Sequence, residues 1–305
     1  MISVLIATKN RSEKLKTCLQ SVLRSSYQNF EVLLIDQSTT KDTERIVTGI
    51  ASKKIRYVRM NSTGKAKALN FAVRKSQYEI LAFTDDDCVV TKNWLKEIHD
   101  TYRHAAVAGV FGNTYAYRNT QGKGKVCVAT FQSKRKNVFS RPDIIHYRVL
   151  GQGNNMSLKK SAVTSAGMFK EWLGVGSPAK AGEESELIFR ILKTNRTLMT
   201  NPNMVVFHNR WLSRIEERMV QSLYTRGLLA FYAYYYFTAD GKITWTMTTQ
   251  RLRERLAPAI QAVAREIRRR PSKHTLFMLL LTLSEIANGL YGVCIGLWRR
   301  ASNNI

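Results

Sequence analysis

Three consecutive carboxylates, Asp85, Asp86 and Asp87, follow directly on the apolar run Ile80-Leu81-Ala82-Phe83-Thr84. Adjacent like charges repel unless a cation holds them. Hard divalent ions such as Mg2+ take carboxylate oxygens and keep open positions for substrate phosphates. Along an extended chain Asp85 and Asp87 share one side and Asp86 faces the other. The competing reading is a solvated acidic turn, which loses weight in a chain with 48 Lys and Arg against 22 Asp and Glu. Four further groups could do chemistry. Asp36 closes the run Val32-Leu33-Leu34-Ile35 and is followed by Gln37-Ser38-Thr39-Thr40, a turn that can grip a base or ribose or simply start the helix at Asp42. Gly64-Lys65-Ala66-Lys67-Ala68-Leu69-Asn70 opens a helix with positive charge and free backbone N–H groups, as a phosphate requires. Its spacing is neither a P-loop nor GxGxxG. Gly182-Glu183-Glu184 puts acids in a first helical turn, where they complement the dipole or where Glu184 can act as a general base. Glu186 has an i,i+4 partner in Arg190. His208 ends the run Met204-Val205-Val206-Phe207, as a structural hydrogen bonder or a metal ligand.

The elements that hold these groups alternate in period. Ile2–Ala7, Phe30–Ile35, Ile55–Met60 and Glu79–Thr84 are short runs of aliphatic and aromatic residues, as buried strands are. Between them, Leu15, Leu19, Val22 and Leu23 share a helical face after Ser12 as cap, and Ala68, Leu69, Ala72 and Val73 share another. This alternation predicts an α/β fold with a doubly wound, mostly parallel sheet, and ligands bind such sheets outside the carboxyl ends of the strands. Residues 105–155 are less regular and carry basic, Gly-bearing loops, Gln121 to Lys125 and Ser133 to Asn137. Helices are expected at Leu158–Ser165 and Glu183–Leu192, with a strand at Met204–His208. The expected organisation is a sheet domain over residues 1–210 and a helical, basic, possible membrane-binding extension over 211–305.

Composition narrows the class. Hydrophobic residues at 44% and charged residues at 23% over 305 positions are globular values, and 17 Gly with 5 Pro exclude collagenous, linker-like or low-complexity chains. Cys18, Cys88, Cys127 and Cys294 form no CxxC pair, which argues against a structural zinc or a disulfide scaffold and for a reducing compartment. The opening apolar run is too short for a secretory signal, and no basic segment precedes it. The net charge of +26 favours polyanions, but it is spread along the chain, so no specific nucleic-acid partner is expected. Leu276–Trp298 is long enough to cross a bilayer. Glu285 and Asn288 near its centre oppose crossing, while the flanking Arg268-Arg269-Arg270 and Arg299-Arg300 suit anionic lipid. A buried or interfacial helix, a span and a partner-binding helix stay open.

The order of these groups carries more than any one of them. Thr8-Lys9-Asn10-Arg11, Asp36-Gln37-Ser38, Gly64 to Asn70, Asp85-Asp86-Asp87, Gly151-Gln152-Gly153-Asn154-Asn155-Met156-Ser157, Gly182-Glu183-Glu184 and His208 together resemble the family 2 inverting glycosyltransferases of GT-A fold, over residues 1–210. The resemblance implies transfer from a nucleotide-diphosphate sugar to a hydroxyl on a polysaccharide, glycolipid or lipid-linked acceptor, in cell-envelope polysaccharide synthesis. By position, Thr8, Arg11 and Asp36 would hold the nucleoside, Lys67 and Asn70 would lie near the donor, and Asp85 and Asp86 would join the nucleotide site. Asp85, Asp87 and His208 would bind Mn2+ or Mg2+, and Glu184, or its neighbour Glu183, would be the base. Two departures stand out: Ala7 replaces the family's usual Pro, and Glu184 replaces the usual Asp. The Gln/Arg-x-x-Arg-Trp element of processive synthases is reduced to Asn209-Arg210-Trp211, which implies single-sugar transfer. The implied setting is cytoplasmic, peripheral at the inner face of the membrane, with an anionic lipid surface as a further partner. Two alternatives remain: a nucleotidyltransferase, and a basic nucleic-acid- or membrane-binding adaptor with a degenerate site.

Overall fold

The computed structural model describes residues 1–118, 124–142, 150–269 and 273–303. The Gly-bearing loop at 121–123 therefore lies outside the described residues. The chain divides into two compact units, Met1–Glu171 with Glu184–Ser213, and Trp172–Glu183 with Arg214–Ile305.

The first unit opens with β1 (Ile2–Thr8), α1 (Ser12–Leu23), β2 (Phe30–Asp36), α2 (Asp42–Ile50), β3 (Ile55–Arg59), α3 (Lys65–Lys75) and β4 (Ile80–Thr84). It continues through β5 (Cys88–Val90), α4 (Trp94–His104), β6 (Gly109–Ala116), β7 (Val126–Cys127), β8 (Val138–Phe139), β9 (Asn155–Lys159) and α5 (Lys160–Ser165). It closes with α6 (Glu183–Lys193), β10 (Leu198–His208) and β11 (Trp211–Leu212). The main sheet runs β3-β2-β1-β4-β9-β6-β10-β5, with β8 beside β10. Strands β1 to β4 are mutually parallel, and β6 is parallel to β10. Strand β9 is inserted antiparallel between β4 and β6, and β5 pairs antiparallel with β10. The fold is thus α/β with a mostly parallel sheet.

Strands β1, β2 and β4 are mainly apolar because both of their faces are covered. Ile2, Val4 and Ile6 pack with Leu15, Leu19 and Val22 of α1 and with Trp94, Leu95 and Ile98 of α4. Leu5 and Leu33 alternate to the other face, which α3 covers with Ala68, Leu69, Ala72 and Val73, as a right-handed crossover from the sheet edge demands. Ser12 is the first residue of α1 and not its cap, and no side chain caps that helix.

The expected helix at Leu158–Ser165 begins later than the sequence predicts, because residues 155–159 are strand β9. The alternation that marks a half-exposed strand is missing there. Asn155, Met156, Ser157 and Leu158 are all buried, and the polar pair is satisfied inside. The Asn155 side chain accepts from Trp94 Nε1 at 2.8 Å and donates to the Met204 carbonyl at 2.9 Å, and Ser157 Oγ donates to the Leu81 carbonyl at 2.7 Å.

The second unit holds α7 (Arg214–Tyr236), α8 (Gly241–Arg269) and α9 (Lys273–Ser302), with the segment Trp172–Glu183 against α7. Close approach fixes that seat: a Cβ on Gly227 would fall 2.2 Å from the Ala181 carbonyl oxygen. The aromatic run of α7 is largely core, with Phe231, Tyr232 and Tyr234 buried and the Tyr234 ring 5.5 Å from that of Trp172.

Candidate active site

Parallel register sets the site. Thr8 pairs with Asp36, and β4 ends beside β1, so the loops after β1, β2 and β4 emerge at one edge of the sheet. The Asp85–Asp87 segment is not extended. Cys88 donates its N–H to the Asp85 carbonyl at 3.1 Å, closing a turn that reverses the chain from β4 into β5. The turn directs Asp85 to one cation, Lys65, and Asp86 and Asp87 to another, Arg11. Asp86 accepts from Thr8 Oγ1 at 2.7 Å and from Arg11 Nη1 at 3.2 Å. Asp87 accepts from the same Arg11 nitrogen at 3.0 Å and from His208 Nε2 at 3.1 Å. Asp85 pairs with Lys65 Nζ at 2.9 Å, and Lys65 reaches Glu184 Oε1 at 3.0 Å. Lys65 therefore joins the first acid of the turn to the first turn of α6.

His208 arrives because β10 pairs with β5 so that His208 stands opposite Cys88. Its Nδ1 faces the Val128 carbonyl at 2.6 Å and its Nε2 faces Asp87. Both partners are acceptors, so only the imidazolium donates to each. Burial opposes that charge, but the hydrogen bond and the attraction of Asp87 outweigh it and raise the His208 pKa. Burial likewise opposes ionisation of Asp87, and His208 with Arg11 overcomes it and holds the carboxyl below its usual range. Burial pushes Asp86 up to about 6, against the pull of Arg11. A raised His pKa stabilises the fold fully below the ordinary imidazole value of about 6.5 and loses that contribution as pH rises through the folded value. A lowered Asp pKa contributes above the ordinary carboxylate value of about 3.9 and is lost as pH falls. The metal-free protein is thus expected to lose stability as pH rises above the ordinary imidazole value of about 6.5, and His208→Asn to flatten that slope in pH-dependent thermal melts.

Asp87, Cys88 and His208 offer ligand atoms within 4.8 Å of one another. Cys88 does not fit a hard cation. It is fully buried, and burial pushes its thiol up, so it stays a neutral core side chain. Asp87 and His208 do fit, since the Val128 carbonyl fixes the Nδ1 proton and aims Nε2 at Asp87, the usual support of a ligating imidazole. Asp85, half-buried at the start of the same turn, is not among the atoms of that cluster, and its carboxylate is paired with Lys65 Nζ at 2.9 Å.

Glu183 and Glu184 part ways. Glu184 is half-buried beside Lys65, and a Cβ on Gly153 would fall 2.4 Å from its Oε1, so the Gly151–Gly153 loop makes the room it occupies. Glu183 is buried against Gly174, where a Cβ would fall 2.8 Å from the Glu183 carboxyl carbon. Glu186 makes the expected pair with Arg190, at 2.7 Å and 2.6 Å.

Three expected donor-side residues lie apart from the acids' network. Asp36 is fully buried, with Oδ1 taken by the Ser38 N–H at 2.8 Å and Oδ2 by the Tyr57 hydroxyl at 2.8 Å. Asn70 bonds the Phe169 N–H and carbonyl, both at 2.9 Å, and Glu171 at 3.1 Å, so its amide ties α3 to residues 169–171. Lys67 is exposed on the first turn of α3. The two residues that sequence reasoning passed over are Lys65, which was visible only as one of two lysines at a helix entrance, and Gly153, whose role is the space it leaves.

The model of the family described as Glycosyl transferase family 2 matches residues 3–156. The chain is similar to glycosyltransferase GlyG of Streptococcus pneumoniae serotype 4, 26% identical over 125 residues, covering 40% of this chain and 42% of that protein. It is also similar to UDP-Glc:alpha-D-GlcNAc-diphosphoundecaprenol beta-1,3-glucosyltransferase WfaP of Escherichia coli, 32% identical over 101 residues, 32% of this chain and 40% of that protein. The chain thus spans about two-fifths of the length of these curated relatives. Among solved structures, the mannosyltransferase PcManGT from Pyrobaculum calidifontis, in complex with GDP-Man and Mn2+, superposes with a TM-score of 0.64 at 17% identity, over 98% of this chain and 87% of that one. S. aureus TarS 1–349 in complex with UDP-GlcNAc gives a TM-score of 0.59 at 15% identity, over 98% and 92%. At these identities the likeness is one of fold.

Proposed function

The chain belongs to glycosyl transferase family 2, and from that premise we propose that it moves one sugar from a nucleotide-diphosphate donor to a hydroxyl acceptor, inverting the anomeric centre. The observation that carries this reading is the convergence of Asp85, Lys65 and Glu184 at the strand ends, next to the Asp87–His208 pair. Such a site needs a base for the acceptor and a cationic place for the donor's diphosphate, and the two lie on one lysine. The nucleotide sugars bound by the two solved neighbours support a donor of that class, and the name of the E. coli relative supports a lipid-linked acceptor.

Asp85, Asp87 and His208 are the residues proposed to hold Mn2+ or Mg2+, which when bound offsets charge on the leaving diphosphate. Thr8 and Arg11 position Asp86 and Asp87 from the β1 loop, and Arg11, partly exposed, also faces the nucleotide. Asp36 serves the nucleoside pocket by shaping the Ser38 turn, since both its oxygens are already engaged. Asn70 fixes α3 in place, and the exposed Lys67 lends charge at the donor side. Glu184 takes the proton from the acceptor hydroxyl as the oxygen bonds the anomeric carbon and the bond to the diphosphate breaks. Lys65 holds Glu184 for that step, and Gly153 accommodates the extra methylene that Glu has over Asp. Glu183, packed on Gly174, supports the helix start. Transfer is of single sugars, in envelope polysaccharide or glycolipid synthesis, by a cytoplasmic protein peripheral to the membrane.

Gly153→Ala tests the placement of the base without changing any charge. The added methyl displaces the Glu184 carboxylate, and a misplacement near 1 Å costs about a hundredfold in transfer. Release of nucleoside diphosphate from donor and acceptor is expected to fall by that factor, while metal-dependent nucleotide affinity is unchanged. Undiminished turnover would remove Glu184 from the role.

A further inference from the structure

Helix α9 carries its polar groups inward and its apolar groups outward. Glu285 is 5% exposed and accepts from Arg255 Nη2 at 2.7 Å and from Arg218 Nε at 3.4 Å. Thr282 accepts from Arg218 at 2.7 Å, and Asn288 donates to Ser222 Oγ at 2.8 Å and accepts from Arg226. Gly292 and Gly296 share that inward face, where a Cβ would fall 2.2 Å and 2.1 Å from backbone oxygens of Arg226 and Ala230 in α7. The opposite stripe is Leu276, Leu280, Leu283, Leu290, Tyr291 and Trp298, each between 50% and 63% exposed. At 1.5 Å per residue it runs for about 33 Å, far beyond a scatter of single surface hydrophobes.

By length and composition Leu276–Ser302 could cross a membrane. Its packing argues against an upright crossing. Glu285 is held by arginines from both neighbouring helices, so α7 and α8 would have to enter the hydrocarbon with it, and α8 exposes Arg253 and Arg265. Charged groups at bilayer depth are strongly disfavoured unless they are paired or reach water. The charge of this region suits a surface instead. Residues 214–305 carry fourteen Lys and Arg against six Asp and Glu. Arg299 lies 4.6 Å over the exposed Trp298 ring, a cation beside an aromatic of the kind that settles at the headgroup level.

We propose that α9 is an in-plane membrane seat: its exposed stripe enters the headgroup–acyl boundary of an anionic lipid surface while its polar face stays paired with α7 and α8. This deepens the peripheral membrane placement proposed above by naming the element and the lipid it meets, and it does not depend on the transfer reaction. The test uses the full chain with vesicles of phosphatidylcholine, alone and mixed with phosphatidylglycerol. The protein is expected to float with the mixed vesicles, less so at high salt, and to be released by alkaline carbonate. A polarity-sensitive fluorophore on the exposed thiol of Cys294, at the same face, is expected to shift to the blue on binding. The triple variant Leu280→Gln, Leu283→Gln, Leu290→Gln changes only exposed positions and is expected to lower partitioning by at least about tenfold. Its helicity and its metal-dependent nucleotide response should stay unchanged, which keeps this test apart from the transfer reaction. No flotation with anionic vesicles, or equal flotation of the triple variant, overturns the proposal. Resistance to carbonate extraction overturns it in favour of a span. A concentration-dependent dimer that the triple variant abolishes, without lipid binding, assigns the stripe to a second copy of the chain.

Discussion

Replacing Glu184 with Gln is expected to lower transfer by about 10²–10⁴-fold, the usual contribution of a positioned general base, while leaving metal-dependent nucleotide binding intact. The substitution keeps the shape of the side chain over Gly153 and removes only its capacity to take a proton. It also weakens the contact with Lys65, whose Nζ lies 3.0 Å from Glu184 Oε1, but Asp85 still holds that ammonium at 2.9 Å. The loss should therefore fall on turnover and not on affinity for donor. Glu183→Gln is the control. That residue is 2% exposed and packed on Gly174, so its change is expected in thermal stability. Full turnover in Glu184→Gln beside a dead Glu183→Gln would move the base by one residue.

The second large effect concerns the acid turn, where the three carboxylates are not equivalent. Asp85 is half-buried and balanced by Lys65, whereas Asp87 is buried between Arg11 and His208. Asp85→Asn is expected to abolish the stabilisation that a nucleoside diphosphate gives in the presence of Mn2+, and to leave the melting temperature of the unliganded protein close to its original value. Asp87→Asn should abolish the same response and also destabilise the unliganded protein, by about 3–5 kcal/mol, because it strands a buried imidazolium. Calorimetric melts with and without nucleotide separate the two effects. Retained Mn2+-dependent stabilisation in Asp85→Asn would take that residue out of the metal site.

Much of this was legible in the residues because the signals were local. Runs such as Val32–Ile35 and Ile80–Thr84 marked the buried strands, and the acids at their ends pointed to the ligand edge of the sheet. What escaped depended on partners distant in the chain. Nothing near Asp36 shows that Tyr57, on β3, takes its second oxygen. Nothing near Asn70 shows that Phe169 and Glu171 claim its amide. Of the two lysines that open α3, only the helix register decides that Lys65 meets the acids while Lys67 stays exposed. The acid segment looked extended because a tripeptide carries no sign of the reversal that β5 imposes by pairing with β10. Strand β9 hid because its polar residues are satisfied inside the core, so no period of two survives. In α9, Glu285 and Asn288 read as costs of entering lipid, but their partners lie on α7 and α8 and turn them away from the apolar stripe.

The central claim, a metal-dependent nucleotide-diphosphate site at the strand ends, is tested most directly by the melting temperature of the purified protein across UDP, GDP, CDP, dTDP and ADP, each with and without Mn2+. One nucleoside diphosphate should stabilise the fold only when the metal is present, by about 2.7 kcal/mol at a hundredfold excess over its Kd. A flat response across the panel in a folded sample, or stabilisation of equal size without Mn2+, would contradict it.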